Sequence, residues 1–116
     1  TVIANTSTDV TYADSSTLGA TFTINRSGLY SISYTDAGST SCNMGVSLNS
    51  SQLTTNIAGI TQADRLFLFS PTGNDLFQTG SVTLYLNSGD VIRAHTDGVA
   101  AASFTARTQF TIQRIY

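Results

Sequence analysis

The chain offers one imidazole, one thiol and seven carboxylates on which chemistry could be built. His95 lies in "DVIRAHTDG", where strand alternation sets it beside Val91 and Arg93 and opposite Ile92 and Ala94. A Ser-His-Asp triad needs such an imidazole against an activated serine, with a buried aspartate behind it. No G-x-S-x-G elbow occurs to expose that serine. His95 is therefore expected at a surface or interface rather than as a general base. The acids are all Asp and scattered, which supports no glycosidase pair. "DRLFLFSPTGND" does not fit a calcium-binding EF-hand loop, and Gly-rich phosphate loops are absent. Cys42, in "GSTSCNMG", is alone, which excludes an internal disulfide and a thiolate metal cage; it is expected as a buried, inert thiol. The sequons at Asn5, Asn25 and Asn49 are expected by chance in a chain this rich in Ser and Thr. No catalytic residue and no cofactor is assigned.

Composition narrows the partners. The 116 residues suffice for one domain, residues 1–116, burying roughly two-thirds of its surface. Charged residues make up 10%, against a usual ~25%; every base is Arg and every acid is Asp. The net charge of −2 leaves no basic footprint for nucleic acid or an anionic membrane. No apolar run approaches the ~20 residues that span a bilayer. The chain opens on Thr1 rather than Met, so it is read as the C-terminal head of a longer, stalked protein.

What must position any site is a set of strands. Period-two alternation broken by short polar turns runs through the chain. "ATFTIN" puts Ala20, Phe22 and Ile24 on one face. "SGLYSISYTD" sets Tyr30, Ile32 and Tyr34 against Ser31, Ser33 and Thr35, and "MGVSLNS" groups Met44, Val46 and Leu48. "VTLYLNSGDVIRA" supplies Val82, Leu84 and Leu86, a turn at 87–90, then Ile92 and Ala94. After Phe104 the alternation continues through Phe110 and Ile112 on one face, with Gln109, Thr111 and Gln113 on the other. About eight to ten short antiparallel strands indicate an all-β sandwich. The expected core is Phe22, Ile24, Tyr30, Ile32, Leu84, Leu86, Phe110 and Ile112. Gly28 is expected to be required because the turn before Tyr30 needs a backbone conformation that Gly adopts most cheaply.

"GATFTINRSGLYSISY" resembles the signature of the complement globular-head and tumour necrosis factor (TNF) superfamily, in which a Phe precedes Gly-x-Tyr-x-Phe-x-aromatic. Phe22, Gly28, Tyr30 and Tyr34 hold those places, with Ile32 where Phe is usual. "GSVTLYLNSGDVIR" is similar to the family's Leu-x-Leu-x-x-Gly-Asp-x-Val segment, through Leu84, Leu86, Gly89, Asp90 and Ile92. "VSLNSSQL" resembles the strand and turn between them. The family's late Phe-x-Gly motif is absent, since Thr105 and Ala106 follow Phe104. The Ser/Thr-rich, Lys-free composition looks most like the family's microbial members, knobs of phage spikes and needles and tips of bacterial collagen-like filaments.

The resemblance implies a jelly-roll homotrimer in which the sheet holding the Gly-x-Tyr strand and the last strand packs toward the threefold axis. Ser31, Ser33, Thr35, Arg107, Gln109, Thr111, Gln113 and Ile115 would then face neighbouring subunits. "RLFLF" is apolar on both faces, Leu66 and Leu68 on one and Phe67 and Phe69 on the other, and needs a partner subunit or an overlying loop as cover. The subunit is preferred, which adds Phe67 and Phe69 to the expected interface.

Alternate connections of a jelly roll fall at the same end. One end then holds the turns at 25–28 and 87–90, the segment 49–64 and Tyr116, and faces the stalk. The opposite end collects the loops that a receptor would meet, with Asp36, Ser39, Thr40, Thr72, Asn74, Asp75, Asp97 and Val99 as the expected contacts. Carboxylates crowded at that apex make Ca²⁺ the candidate metal, through oxygens of Asn74, Asp75 and Asp97. The expected role is a non-enzymatic head on a virion spike, needle or fibre that attaches to a host-surface receptor, glycan or protein. The alternatives are the tip of a bacterial surface or spore-coat filament and, below it, a glycan hydrolase. The expected location is the virion surface or the cell exterior.

Overall fold

The computed structural model describes residues 8–38, 41–72, 76–97 and 108–116. Eight strands follow in order: β1 (Val10–Ala13), β2 (Thr21–Ile24), β3 (Gly28–Asp36), β4 (Met44–Leu48), β5 (Arg65–Phe69), β6 (Gln78–Leu86), β7 (Val91–Thr96) and β8 (Gln109–Arg114). Two 3₁₀ turns, η1 (Ile57–Gly59) and η2 (Gln62–Asp64), lie between β4 and β5. The strands form two antiparallel sheets, one ordered β1-β2-β7-β4-β5 and the other β6-β3-β8. This is a jelly-roll sandwich.

Alternation decides what lies between the sheets. Ile24, Tyr30, Ile32, Val46, Leu86 and Ile92 are sealed there, with Val10 at the margin. Fully burying such a side chain contributes about 1.5–3 kcal/mol relative to leaving it in water. Phe22, Leu84, Phe110 and Ile112 pack against this cluster and are partly buried, so all eight expected core residues belong to it. Phe22 of one sheet stacks on Phe110 of the other, with centroids 4.5 Å apart and planes 10° from parallel, which closes one side of the sandwich. A second cluster of Cys42, Met44 and Phe69 fills the other end, with Tyr34 and Phe67 against it.

Tyr30 is anchored at its polar tip as well. Its hydroxyl donates to the Arg26 carbonyl at 2.7 Å, which satisfies the one polar atom of a side chain otherwise wrapped in hydrocarbon. The 25–28 and 87–90 turns meet at this end. Ser88 donates from its N–H to Ser27 Oγ and from its Oγ to the Asn25 carbonyl, both at 2.9 Å. Asn49 takes the left-handed backbone, φ 53°, and its side chain secures that conformation. Asn49 Nδ2 donates to Asp90 Oδ1 at 2.7 Å, and the Val91 N–H donates to Asn49 Oδ1 at 2.8 Å.

Gly28 is required for a reason other than the expected one. The residues with positive φ among those described are Gly19, Gly89 and Asn49, and Gly28 is not one of them. A Cβ at Gly28 would run into the Tyr116 carbonyl oxygen and sit 2.6 Å from Arg114 Nε. Close approach of the chain terminus to β3, rather than turn geometry, excludes a side chain there.

Candidate functional site

The outward face of the three-stranded sheet is built from the odd positions of β3. Ser31 lies between Thr83 of β6 and Gln113 of β8, Ser33 between Ser81 and Thr111, and Thr35 between Thr79 and Gln109. Nine hydroxyl and amide side chains thus form a carpet without one charge. Thr35 and Thr79 share a hydrogen bond of 2.8 Å across it. At the β3 start the carpet turns apolar, where Leu29 pairs with Tyr85. Tyr85 is 64% exposed and Ile115, just past β8, is 55% exposed, with Tyr116 beyond it. A shallow depression lined by Ser27, Gly28, Tyr85, Arg114 and Tyr116 lies at this corner.

The structure thereby gathers Ser31, Ser33, Thr35, Gln109, Thr111 and Gln113 on one open face, with Ile115 at its end. Arg107 lies outside the described residues. Phe67 and Phe69 are not on that face, contrary to expectation. Phe69 is 8% exposed and meets the Tyr34 ring edge-on at 5.3 Å, and Phe67 covers the bare backbone of Gly80 on β6. Both rings are core between the sheets. On the other side of β5, Ile57 of η1 is fully buried over Gly45, next to the Leu68 backbone, while the Leu68 side chain stays 37% exposed. The facing sheet covers the phenylalanine side of "RLFLF", and segment 49–64 lies over part of its leucine side. Tyr85 was missed as a surface residue although its alternation with Leu84 and Leu86 points it outward.

The opposite end brings the β3–β4 loop, the segment after β5 and the end of β7 together. Ser41, Cys42, Asn43, Ser70, Pro71, Thr72 and Asp97 line a depression of about 310 Å³ there. Asp97 accepts from the Asn43 backbone N–H and, at 2.8 Å, from Asn43 Nδ2. Ser70 Oγ donates to Asn43 Oδ1 at 2.6 Å. Asn43 and Ser70 carry no advance signal, because only the folded chain sets them beside Asp97. Both Asp97 oxygens are therefore engaged by Asn43. Asn74 and Asp75, the other expected metal ligands, lie outside the described residues, as do Ser39, Thr40 and Val99. Among the described residues no three His, Cys, Asp or Glu side chains cluster as metal ligands.

Asp36 is the second correction. It is 2% exposed and cannot greet a receptor. Its carboxylate accepts from the Tyr34 hydroxyl at 2.8 Å, the Ala37 N–H at 2.8 Å and Thr108 Oγ1 at 3.0 Å, which knits β3 to the start of β8. Three donors make burial of this anion tolerable. Burial, then the Asp36 carboxylate, pushes the Tyr34 phenol far above its ordinary range.

His95 departs from expectation too, being 7% exposed rather than at the surface. Its Nδ1 lies 2.9 Å from the Thr55 carbonyl oxygen and its Nε2 lies 2.7 Å from Ser47 Oγ. A carbonyl only accepts, so Nδ1 carries the proton and Nε2 accepts from Ser47. Burial first, then the Arg93 charge, holds the imidazole below its usual range, against an upward pull from Thr55. Ser47 is fully buried, so this Ser–His contact is closed to any substrate.

The same sandwich occurs in solved structures of GITRL. The rabbit protein matches with a TM-score of 0.59 at 15% identity, over 90% of this chain and 77% of that one. Bushbaby GITRL matches with 0.58 at 18% identity, over 94% and 77%. Pika GITRL gives 0.58 at 15%, over 90% and 78%. The fold is therefore a TNF-like jelly roll. No protein-family model matches the chain, and no curated protein sequence matches it.

Proposed function

We propose that this domain is a non-enzymatic, homotrimeric head that binds a receptor outside the cell. The supporting observation is the contrast between the two outer faces. The five-stranded sheet is partly covered over β4 and β5 by the chain's own 49–64 segment, whereas the β6-β3-β8 face is an uncharged carpet with an exposed apolar corner. Hydroxyls and amides without charge lose little on desolvation if they find partners, and Leu29, Tyr85, Ile115 and Tyr116 supply apolar area for a contact. The loops around Asn43, Thr72 and Asp97 stand at the opposite end, where a rigid sandwich commonly carries recognition. The sealed Ser47–His95 contact favours binding over hydrolysis of a glycan.

The finer reading is attachment of a virion spike, needle or fibre to a host-surface glycan or protein. Its support is the Lys-free, Glu-free, Ser/Thr-rich composition. The filament-tip reading shares that support, and a collagen-like Gly-x-y run upstream in the gene would select it. Calcium at Asn74, Asp75 and Asp97 belongs to the same proposal, and chelation is expected to lower receptor binding.

Light scattering at micromolar concentration tests the assembly. A mass about three times 12.3 kDa is expected, and Ser33→Arg, at the centre of the carpet, should reduce it to monomer. A monomeric parent would overturn the reading. Binding of labelled trimer to candidate host cells, lost on replacing Asn43 and Thr72 while the mass stays trimeric, would then place recognition at that end.

A further inference from the structure

Segment 49–64 is organised around one amide. Gln52 Oε1 accepts from the Thr61 N–H at 2.9 Å and from Thr61 Oγ1 at 2.8 Å, and Gln52 Nε2 donates to the Gly59 carbonyl at 3.2 Å. The segment is thus a small unit with its own internal bonds, lying on the outside of β4, β5 and β7. Its buried apolar side chains are Ile57, seated over Gly45, and Ile60. The polar tie to its middle is the His95 Nδ1–H to Thr55 carbonyl bond.

The tie works with a neutral imidazole. A proton added at Nε2 would turn Ser47 from donor to acceptor. Ser47 Oγ has no other hydrogen bond among the described residues, so its own proton would be stranded in a fully buried site. The charges around this face also oppose a cation. Arg93 and Arg65 both stand opposite Ser47 in the sheet register, from β7 and β5. The acids on adjoining elements give no relief, since Asp97 is turned to Asn43 and Asp64 at the end of η2 forms no ion pair with His95. Protonation therefore favours any conformation in which the imidazole reaches water, and the cheapest one lifts the small unit while leaving both sheets paired.

We propose that His95 is a pH-sensitive latch that holds segment 49–64 on the outer face of the five-stranded sheet and releases it in mildly acidic surroundings. Release uncovers Ile57 and Gly45 beside the already exposed Leu68, an apolar strip unrelated to the β6-β3-β8 face. Protonation of a buried histidine is a common trigger for such a shift.

Hydrogen exchange on the whole chain, corrected for intrinsic rates and taken from pH 7.5 to 5.0, tests the latch. Amides of 50–64 should lose protection at least tenfold while those of β3 and β6 hold. The loss should track the His95 ring titration followed by NMR in the same samples. His95→Asn, which keeps a donor near Thr55 but cannot titrate, should abolish the pH dependence. Ser47→Ala serves if that variant does not fold. It removes the hydroxyl that protonation would strand, so the imidazole can charge in place and the pH dependence of exchange in 50–64 should shrink. Titration of His95 with the segment still protected, simultaneous loss throughout both sheets, or an undiminished pH dependence in Ser47→Ala would each overturn the proposal.

Discussion

The ring of Phe67 rests on the bare backbone of Gly80, across the gap between the sheets. This contact brings β5 close enough to β6 for Phe69 to reach Tyr34, and it converts a strand with two apolar faces into an ordinary core strand. A Cβ at Gly80 would overlap the Phe67 ring and lie 3.1 Å from Phe69 Cδ1. Gly80→Val is expected to cost about 1–3 kcal/mol by overpacking. Denaturant midpoints at constant slope measure it. A Gly80→Val protein as stable as the parent would mean that the ring does not sit there.

Phe22 and Phe110 carry the second prediction. Their stack joins the two sheets at a side where each ring is only partly buried. Either change to Ala should cost about 3 kcal/mol, the lower end of the range for a phenylalanine. The double variant should lose less than the sum of the two, since each removes the other's partner. A double-mutant cycle by urea unfolding reads this directly, and strict additivity would refute the contact.

Gly28 is the third. Because the obstruction comes from Tyr116 and Arg114, Gly28→Val is expected to lower the melting temperature by several degrees. Removing Tyr116 along with trimming Arg114 to Ala should restore part of that loss. A turn-conformation defect would show no such rescue.

The fourth concerns pH. Burial lowers the His95 pKa in the folded chain, whereas the unfolded chain titrates near ~6.5. Between those two values the unfolded state binds more protons, so stability rises with pH across the window. The contribution is complete above about pH 6.5 and is lost as pH falls toward the folded pKa. No other imidazole exists in the chain. Thermal melts from pH 7.5 to 5.0 should slope downward in the parent and more gently in His95→Asn.

Much of the fold was legible before any coordinates. Alternation alone separated Ile24, Tyr30, Ile32 and Leu86 from Ser31, Ser33 and Thr35, because successive side chains on a strand point to opposite faces. Turn residues at 87–90 and the spacing of short strands indicated a sandwich, and the resemblance of the Gly-x-Tyr and Leu-x-Leu segments to the TNF superfamily narrowed it to a jelly roll. Those are local properties, written in neighbours one to ten positions apart.

Segment 49–64 and the two ends of the barrel are different in kind. Whether Phe67 faces outward or meets Gly80, whether Asp36 faces water or Thr108, and whether His95 is exposed or locked between Ser47 and Thr55 depend on residues 13 to 72 positions away. Period two says which face a side chain is on, but not what covers that face. The sequence by itself determined β2 to β4 and β6 to β8, their inward faces and the uncharged carpet of β3 and β8. Only the tertiary structure decided which apolar surfaces the chain covers for itself, because cover is a property of distant segments brought into contact.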